Sequence, residues 1–179
     1  MLLENDIVID FSSWNHNSTI IDKIRRIRVA IANHKFLNMK YYSSNPHPTL
    51  IALDAFRFSH YLNREPALDH AVEFLLNHWI IRKPIGPCHY GIGTLFMQVE
   101  YPFRNYNLFQ YVYVLSFYDK AKNDYRFLEA LDILKSKTQD GQIVVERVVP
   151  KLGKLSFCKK GKPSISATKR YNEILQNLG

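Results

Sequence analysis

Residues 48–81 read PTLIALDAFRFSHYLNREPALDHAVEFLLNHWII, which is two apolar patterns at helical spacing separated by the turn Asn63-Arg64-Glu65-Pro66. The first pattern predicts a helix from about Pro48 to Leu62, and the second predicts one from Pro66 to Ile81. Because only a few residues join them, the two helices should lie side by side and antiparallel. This stretch therefore predicts an all-α fold built from helix pairs.

Similar patterns occur on both sides of this pair. Further helices are predicted over residues 18–36, 107–118, 124–134 and 163–178. Residues 82–103 are rich in Pro and Gly and predict an irregular return, whereas the β-branched stretch 142–149 predicts a short strand or extended arm. We expect an N-terminal arm over 1–17 and a single domain of repeated helix pairs over 18–179.

The helix pairs recur with a regular spacing. Each unit is a helix, a short turn, a second helix and a long return, and the first helices begin near Pro48, Asn107 and Ser164. These starts are 59 and 57 residues apart. A constant spacing of this kind is typical of arrays in which each unit packs against its neighbours.

From Pro46 onward, the chain resembles the terminal repeats of squalene-cyclase and prenyltransferase-like proteins, the α/α toroids. The segments that carry the resemblance are HPTLIAL at 47–53, AVEFLLNH at 71–78, YPF at 101–103, KTQDG at 137–141, GKPS at 161–164 and TKR at 168–170. The order of these segments along the chain is part of the resemblance.

The resemblance implies a toroid-like array of about three antiparallel helix pairs with one short extended arm. First helices would line an inner face and second helices would pack outside it. The implied lining residues are Leu50, Phe56, Phe58, Tyr106, Phe109, Tyr113 and Phe117. A closed ring needs about twice as many pairs, so we expect an incomplete ring, as in a fragment, a shortened relative or half of a dimer. Its open apolar edge would be costly in water unless a ligand or partner covers it.

The catalytic motifs of the resembled proteins are missing from the sequence. No Asp-x-Asp-Asp run occurs, and neither Cys88 nor Cys158 stands in the Asp-x-Cys pair that would hold zinc. The adjacent residues Cys88 and His89 could serve as metal ligands or as a nucleophile pair, but a third ligand is not evident, and a loop pair at the mouth of the arc is the favoured interpretation. We expect both cysteines to be ordinary buried residues, and we expect no catalytic residue, metal or cofactor.

Aromatic residues and one arginine make up the predicted ligand-binding set, together with the Cys88–His89 pair. The set is Phe56, Arg57, Cys88, His89, Tyr101, Phe103, Tyr106, Phe109 and Tyr113. The favoured function is a non-catalytic domain that binds an apolar ligand or a partner chain, including a second copy, through its concave face. One alternative is a component of a terpenoid or prenyl-transfer enzyme, with Arg57, Arg82 or Arg104 clamping an isoprenoid diphosphate.

A third hypothesis comes from charge. The chain has 24 Lys and Arg against 16 Asp and Glu, a net charge of +8, and residues 147–170 hold eight basic residues and no acidic one. Such a field attracts phosphates, nucleic acid or acidic proteins, although a merely solvated face has the same composition, and nucleic acid is the less favoured partner.

No apolar run is long enough to span a membrane, and acidic residues at the start do not fit a signal peptide, so we expect a cytoplasmic protein.

Overall fold

A computed structural model describes residues 45–58 and 65–179 of the chain. Its helices are α1 (Pro46–Phe56), α2 (Pro66–Ile81), α3 (Leu108–Leu115), α4 (Asp119–Lys122), α5 (Tyr125–Lys135) and α6 (Ile165–Asn177). Strands β1 (Thr138–Gln139) and β2 (Gln142–Ile143) form an antiparallel hairpin, and a 3-10 turn spans Pro150–Leu152. The described part of the chain is therefore mostly helical, as predicted. None of its helices combines the length and the apolar character needed to cross a bilayer.

Side-chain caps explain why several helices begin close to their predicted starts. Asn107 accepts a hydrogen bond from the backbone N–H of Gln110 at 2.9 Å, and α3 begins directly after it. Asp124 and Ser164 cap α5 and α6 in the same way. These short polar side chains satisfy backbone donors that have no partner inside the helix.

Three sequence predictions need correction. Helix α1 begins at Pro46 and ends at Phe56, well before the predicted Leu62. The predicted helix at 107–118 ends at Leu115, and the short helix α4, which was not predicted, follows it. The stretch 142–149, predicted as a short strand or an extended arm, is a strand only at Gln142–Ile143, and Val144 and Arg147 beyond it make single bridges to other segments. The predicted arm at 1–17 and helix at 18–36 lie outside the described residues.

The helices pack in two rows. Helix α1 packs against α2 and α3 packs against α5, which makes two helix pairs. The first helices of successive units also touch, since α3 contacts both α1 and α6, and the second helices α2 and α5 contact each other. Each helix of these two pairs is therefore in contact with its partner in the pair and with its counterpart in the neighbouring unit.

Helix α3 is the centre of the core, because all eight of its residues are buried. Tyr111 stacks on Trp79 of α2 with ring centroids 5.8 Å apart, and its hydroxyl donates to the carbonyl of Leu75 at 3.1 Å. The Tyr118 hydroxyl donates to the carbonyl of Leu53 in α1. Both tyrosines bury a large ring and still satisfy the hydroxyl, which is the condition for burying a phenol at low cost.

A buried guanidinium joins α2 to α5. Arg126 donates to Glu73 at 2.8 and 3.1 Å, to Asp124 at 2.7 and 2.9 Å, and to the side-chain oxygen of Asn77 at 2.8 Å. Its hydrogen bonds lower the pKa of both carboxyls below their ordinary values. A guanidinium held on several sides in this way fixes the spacing of the two second helices.

Replacing Arg126 with Met should lower the free energy of unfolding by about 2–3 kcal/mol at neutral pH, because it leaves two carboxylates without their shared cation. Since both carboxyls have a lowered pKa when folded, the difference from the wild type should shrink as the pH falls below about 4. Urea unfolding at several pH values measures this.

Lys135→Met is the matched control, because its ion pair with Asp132 is largely exposed to solvent. It should cost less than about 0.5 kcal/mol. Equal losses from the two variants would contradict the role given to Arg126.

Candidate functional site

One cluster of rings lies on the side of α3 that faces α1 and α6, and we call it the aromatic face. Its members are Phe58, Tyr101, Phe103, Phe109, Tyr113 and Phe117. Phe109, Tyr113 and Phe117 recur every fourth residue, so they share one side of the helix and its extension. Phe103 comes from the preceding loop and packs between them, 5.0 Å from Phe109 and 5.6 Å from Tyr113 between ring centroids.

Arg57 lies within this ring cluster. Its guanidinium is 4.0 Å from the ring centroid of Phe58, 4.8 Å from that of Tyr113 and 4.7 Å from that of Phe117. The side chain is only 7% exposed and is paired with Asp54 on the preceding turn. A guanidinium stacked on several rings and paired with a carboxylate is a packing element with little free charge.

Helix α6 closes the other side of Tyr113. The Tyr113 hydroxyl donates to Glu173 at 2.8 Å, and Arg170 donates to the same hydroxyl oxygen at 2.6 Å and to Glu173 at 3.0 Å. Burial and the hydrogen bond to Glu173 raise the pKa of Tyr113 to about 12. The phenol therefore keeps its proton and links α3 to α6.

Five of the predicted site residues meet at the aromatic face, namely Arg57, Tyr101, Phe103, Phe109 and Tyr113. The other four lie elsewhere. Phe56 is 2% exposed in the core, Tyr106 belongs to a second ring cluster, and Cys88 and His89 are exposed on a loop. Sequence reasoning missed Glu173 and the role of Arg170 at this face; their spacing of three residues on a predicted helix was the available signal.

A second cluster of rings, which includes those of Tyr106 and His78, joins the irregular segment 82–106 to α2. The Tyr106 hydroxyl donates to Nδ1 of His78 at 3.0 Å, while Nε2 of His78 donates to the carbonyl of Lys83 at 3.1 Å. The imidazole is therefore neutral, and burial lowers its pKa. His47 makes a longer contact of 3.3 Å with the Tyr90 hydroxyl, and its pKa is also lowered by burial.

Cys88 is exposed, which corrects the expectation that both cysteines are buried, whereas Cys158 is fully buried. His89 beside it has a positive φ of 51° within a turn closed by Ile85 and Tyr90. Among the described residues, no three His, Cys, Asp or Glu side chains are grouped closely enough to hold a metal ion.

The arginines of the diphosphate hypothesis do not all present free charge. Arg57 is paired with Asp54, and Arg82 is paired with Glu129 at 3.2 Å and packs on the ring of Trp79. Arg104 is exposed. Two of the three cations thus already have a carboxylate partner, which reduces their use as a phosphate clamp.

A separate surface carries most of the excess positive charge, and we call it the basic surface. It consists of Lys151, Lys154, Lys159, Lys160, Lys162 and Lys169, all of which are exposed. Within residues 45–58 and 65–179, none of these lysines forms an ion pair with a carboxylate. The two arginines at the ends of the segment differ, because Arg147 pairs with Glu100 and Arg170 pairs with Glu173.

An open groove of about 690 Å³ runs along the outer side of α6 between the two surfaces. Arg170 and Glu173 line it toward the aromatic face, and Ile165 and Lys169 line it toward the basic surface. The groove is open to solvent, and its lining mixes apolar and polar surface.

Comparison of the chain with protein-family models, with curated proteins and with solved structures gave no match. The resemblance to the α/α toroids therefore depends on the quoted segments and on the order of the helices.

The free energy of unfolding should fall as the pH drops below about 6.5, because unfolded imidazoles take up protons that the buried ones resist. His78→Gln should make this fall smaller between about pH 7.5 and about pH 5.5, since the contribution of His78 is then lost. It should also cost about 1–3 kcal/mol at pH 7.5, because Tyr106 loses its acceptor. Urea unfolding at the two pH values measures both effects.

His70→Gln is the control, since His70 is an exposed residue of the same helix. It should keep the full pH dependence. If His78→Gln also kept it, burial of a neutral His78 would not be the cause.

Proposed function

We propose that this chain is a non-catalytic binding module whose helix pairs form an arc of an α/α toroid of the squalene-cyclase and prenyltransferase-like type. In this proposal the aromatic face is the inner surface of the arc, and it binds a partner protein chain. We assign no catalytic residue, because the predicted site residues that meet there are rings and a paired arginine.

The packing of the helices supports the arc. First helices contact first helices through α1, α3 and α6, and second helices contact each other through α2 and α5. An inner and an outer row of this kind is what an α/α toroid requires. Because Phe109, Tyr113 and Phe117 project from the middle helix of the first row, they belong to the inner surface of such an arc.

Phe58 is the residue that points to a partner. Its ring is 74% exposed even though it lies 4.0 Å from the guanidinium of Arg57, and it is continuous with Phe117 through that arginine. Tyr101, Phe103 and Phe117 of the same face are half-buried. Aromatic residues and arginine at the centre of a surface are typical of protein–protein interfaces.

The charges of the aromatic face favour an apolar partner surface over a diphosphate. Arg57 is paired with Asp54, and Arg170 is paired with Glu173, so both cations are neutralised where they stand. The most buried rings are packed against one another; Phe109 and Tyr113 are 0% and 1% exposed and do not line an open chamber. A shallow face of half-buried rings suits a protein surface better than an enclosed small molecule.

Phe58→Ser should reduce the binding of a naphthalene-sulfonate dye at least threefold, because it removes the most exposed ring of the face. Its free energy of unfolding should change by less than about 0.5 kcal/mol, since the ring is mostly in water already. Dye titration measures the binding, urea unfolding measures the free energy of unfolding, and light scattering measures the mass. If the chain is a dimer through this face, the variant should be a monomer.

Ile80→Ser is the matched control, because Ile80 is an apolar residue 52% exposed on α2 of the outer row. It should leave dye binding and mass unchanged. A monomeric wild type whose dye binding is unaffected by Phe58→Ser would remove the basis of the proposal.

A further inference from the structure

Residues 150–163 form a loop whose shape is fixed by contacts made on its inner side. At its base, Gly161 N–H donates to the carbonyl of Val145 at 2.7 Å, and Val145 N–H donates to the carbonyl of Lys162 at 3.1 Å. In its middle, the buried Cys158 thiol donates to the carbonyls of Leu152 and Leu155 at 3.5 and 3.9 Å. Backbone and thiol contacts thus hold the loop, and the ammonium groups of its lysines are not among these contacts.

The outer side of this loop combines charge with apolar surface. Five of the six lysines of the basic surface lie on the loop, and Lys169 follows in the first turns of α6. Between them, three apolar side chains are exposed: Leu155 at 36%, Phe157 at 43% and Ile165 at 86%. None of these three side chains belongs to the hydrophobic core of the described residues. Exposed apolar groups that alternate along the chain with lysines are typical of a surface that binds something.

We propose that the basic surface binds the anionic headgroup surface of a lipid bilayer, with Leu155, Phe157 and Ile165 entering the boundary between headgroups and acyl chains. A bilayer supplies both partners that this surface lacks, since its headgroups carry negative charge and its boundary region takes up apolar side chains. The flexible stems of the lysines allow their ammonium groups to reach headgroup phosphates while the apolar side chains lie deeper. The protein would lie on the surface and would not span the membrane.

The side chains favour a bilayer over a nucleic acid. The guanidinium groups that suit phosphodiester recognition are already occupied, because Arg147 pairs with Glu100 and Arg170 pairs with Glu173. Leu155 and Ile165 cannot stack on bases, and Phe157 is the single exposed ring between Arg147 and Arg170. Aliphatic side chains beside lysines gain free energy from a bilayer boundary and little from a polyphosphate strand.

This proposal is independent of the aromatic face, because none of the residues it uses belongs to that face. The test uses the full chain and vesicles of phosphatidylcholine with or without roughly one third phosphatidylserine. The protein should sediment with the anionic vesicles and not with the neutral ones, and the binding should weaken as salt is raised.

Two double variants with the same loss of charge test the location. Lys154→Gln with Lys160→Gln should weaken binding about 25-fold, at about fivefold for each lysine. Lys83→Gln with Lys135→Gln removes two exposed lysines from elsewhere on the molecule and should change binding less than about threefold. Equal losses from both pairs would show a response to net charge alone and would overturn the proposal.

A third variant tests the apolar part and separates the bilayer from other polyanions. Leu155→Ser with Phe157→Ser and Ile165→Ser keeps every lysine and should weaken vesicle binding at least tenfold while leaving the weak binding to single-stranded DNA unchanged. If the triple variant does not fold, Ile165→Ser alone, at the most exposed of the three positions, should still weaken vesicle binding. Absence of binding to anionic vesicles, or tighter binding to DNA that this variant does not alter, would overturn the proposal.

Discussion

Burial of α3 on every side is the constraint on which the rest of the described structure depends. A helix of eight buried residues can exist only if other elements surround it, and α1, α2, α5 and α6 do so. Two tyrosine hydroxyls bond across the core: that of Tyr111 donates to the carbonyl of Leu75, and that of Tyr118, which follows the helix, donates to the carbonyl of Leu53. The surrounding helices are thereby held at fixed positions relative to α3, and the aromatic face is built on that frame.

The aromatic face and the basic surface, to which our two proposals assign binding, differ in whether their positive charges are paired with carboxylates. At the aromatic face each arginine is paired and stacked, so the cations stiffen an apolar surface and leave little field outside it. At the basic surface the lysines extend into solvent from a loop held by its own backbone and by Cys158. This difference follows from the chemistry of the two side chains. A planar guanidinium stacks on rings and pairs with carboxylates, whereas a lysine ammonium stays hydrated on a flexible stem.

In the two proposals the aromatic face and the basic surface use different residues, so one molecule would bind a partner and a bilayer together. Arg170 and Glu173 of α6 border the aromatic face, and Lys169, their neighbour in sequence, belongs to the basic surface. Because α6 is amphipathic, with Ala167, Tyr171 and Ile174 buried against the core, its remaining sides are free to serve both. The two proposals share this helix and no binding residue.

The sequence by itself determined the helical class, the pairing of α1 with α2, the bounds of α2, and the starts of α3, α5 and α6 to within a residue or two, because periodicity and capping act over a few neighbouring residues. Only the tertiary structure decided that Tyr101, Phe103 and Tyr113 join Arg57 while Cys88 and His89 stand apart, and that His78 is buried and neutral. Contacts between different elements depend on how the helices and loops pack, and no local pattern records them.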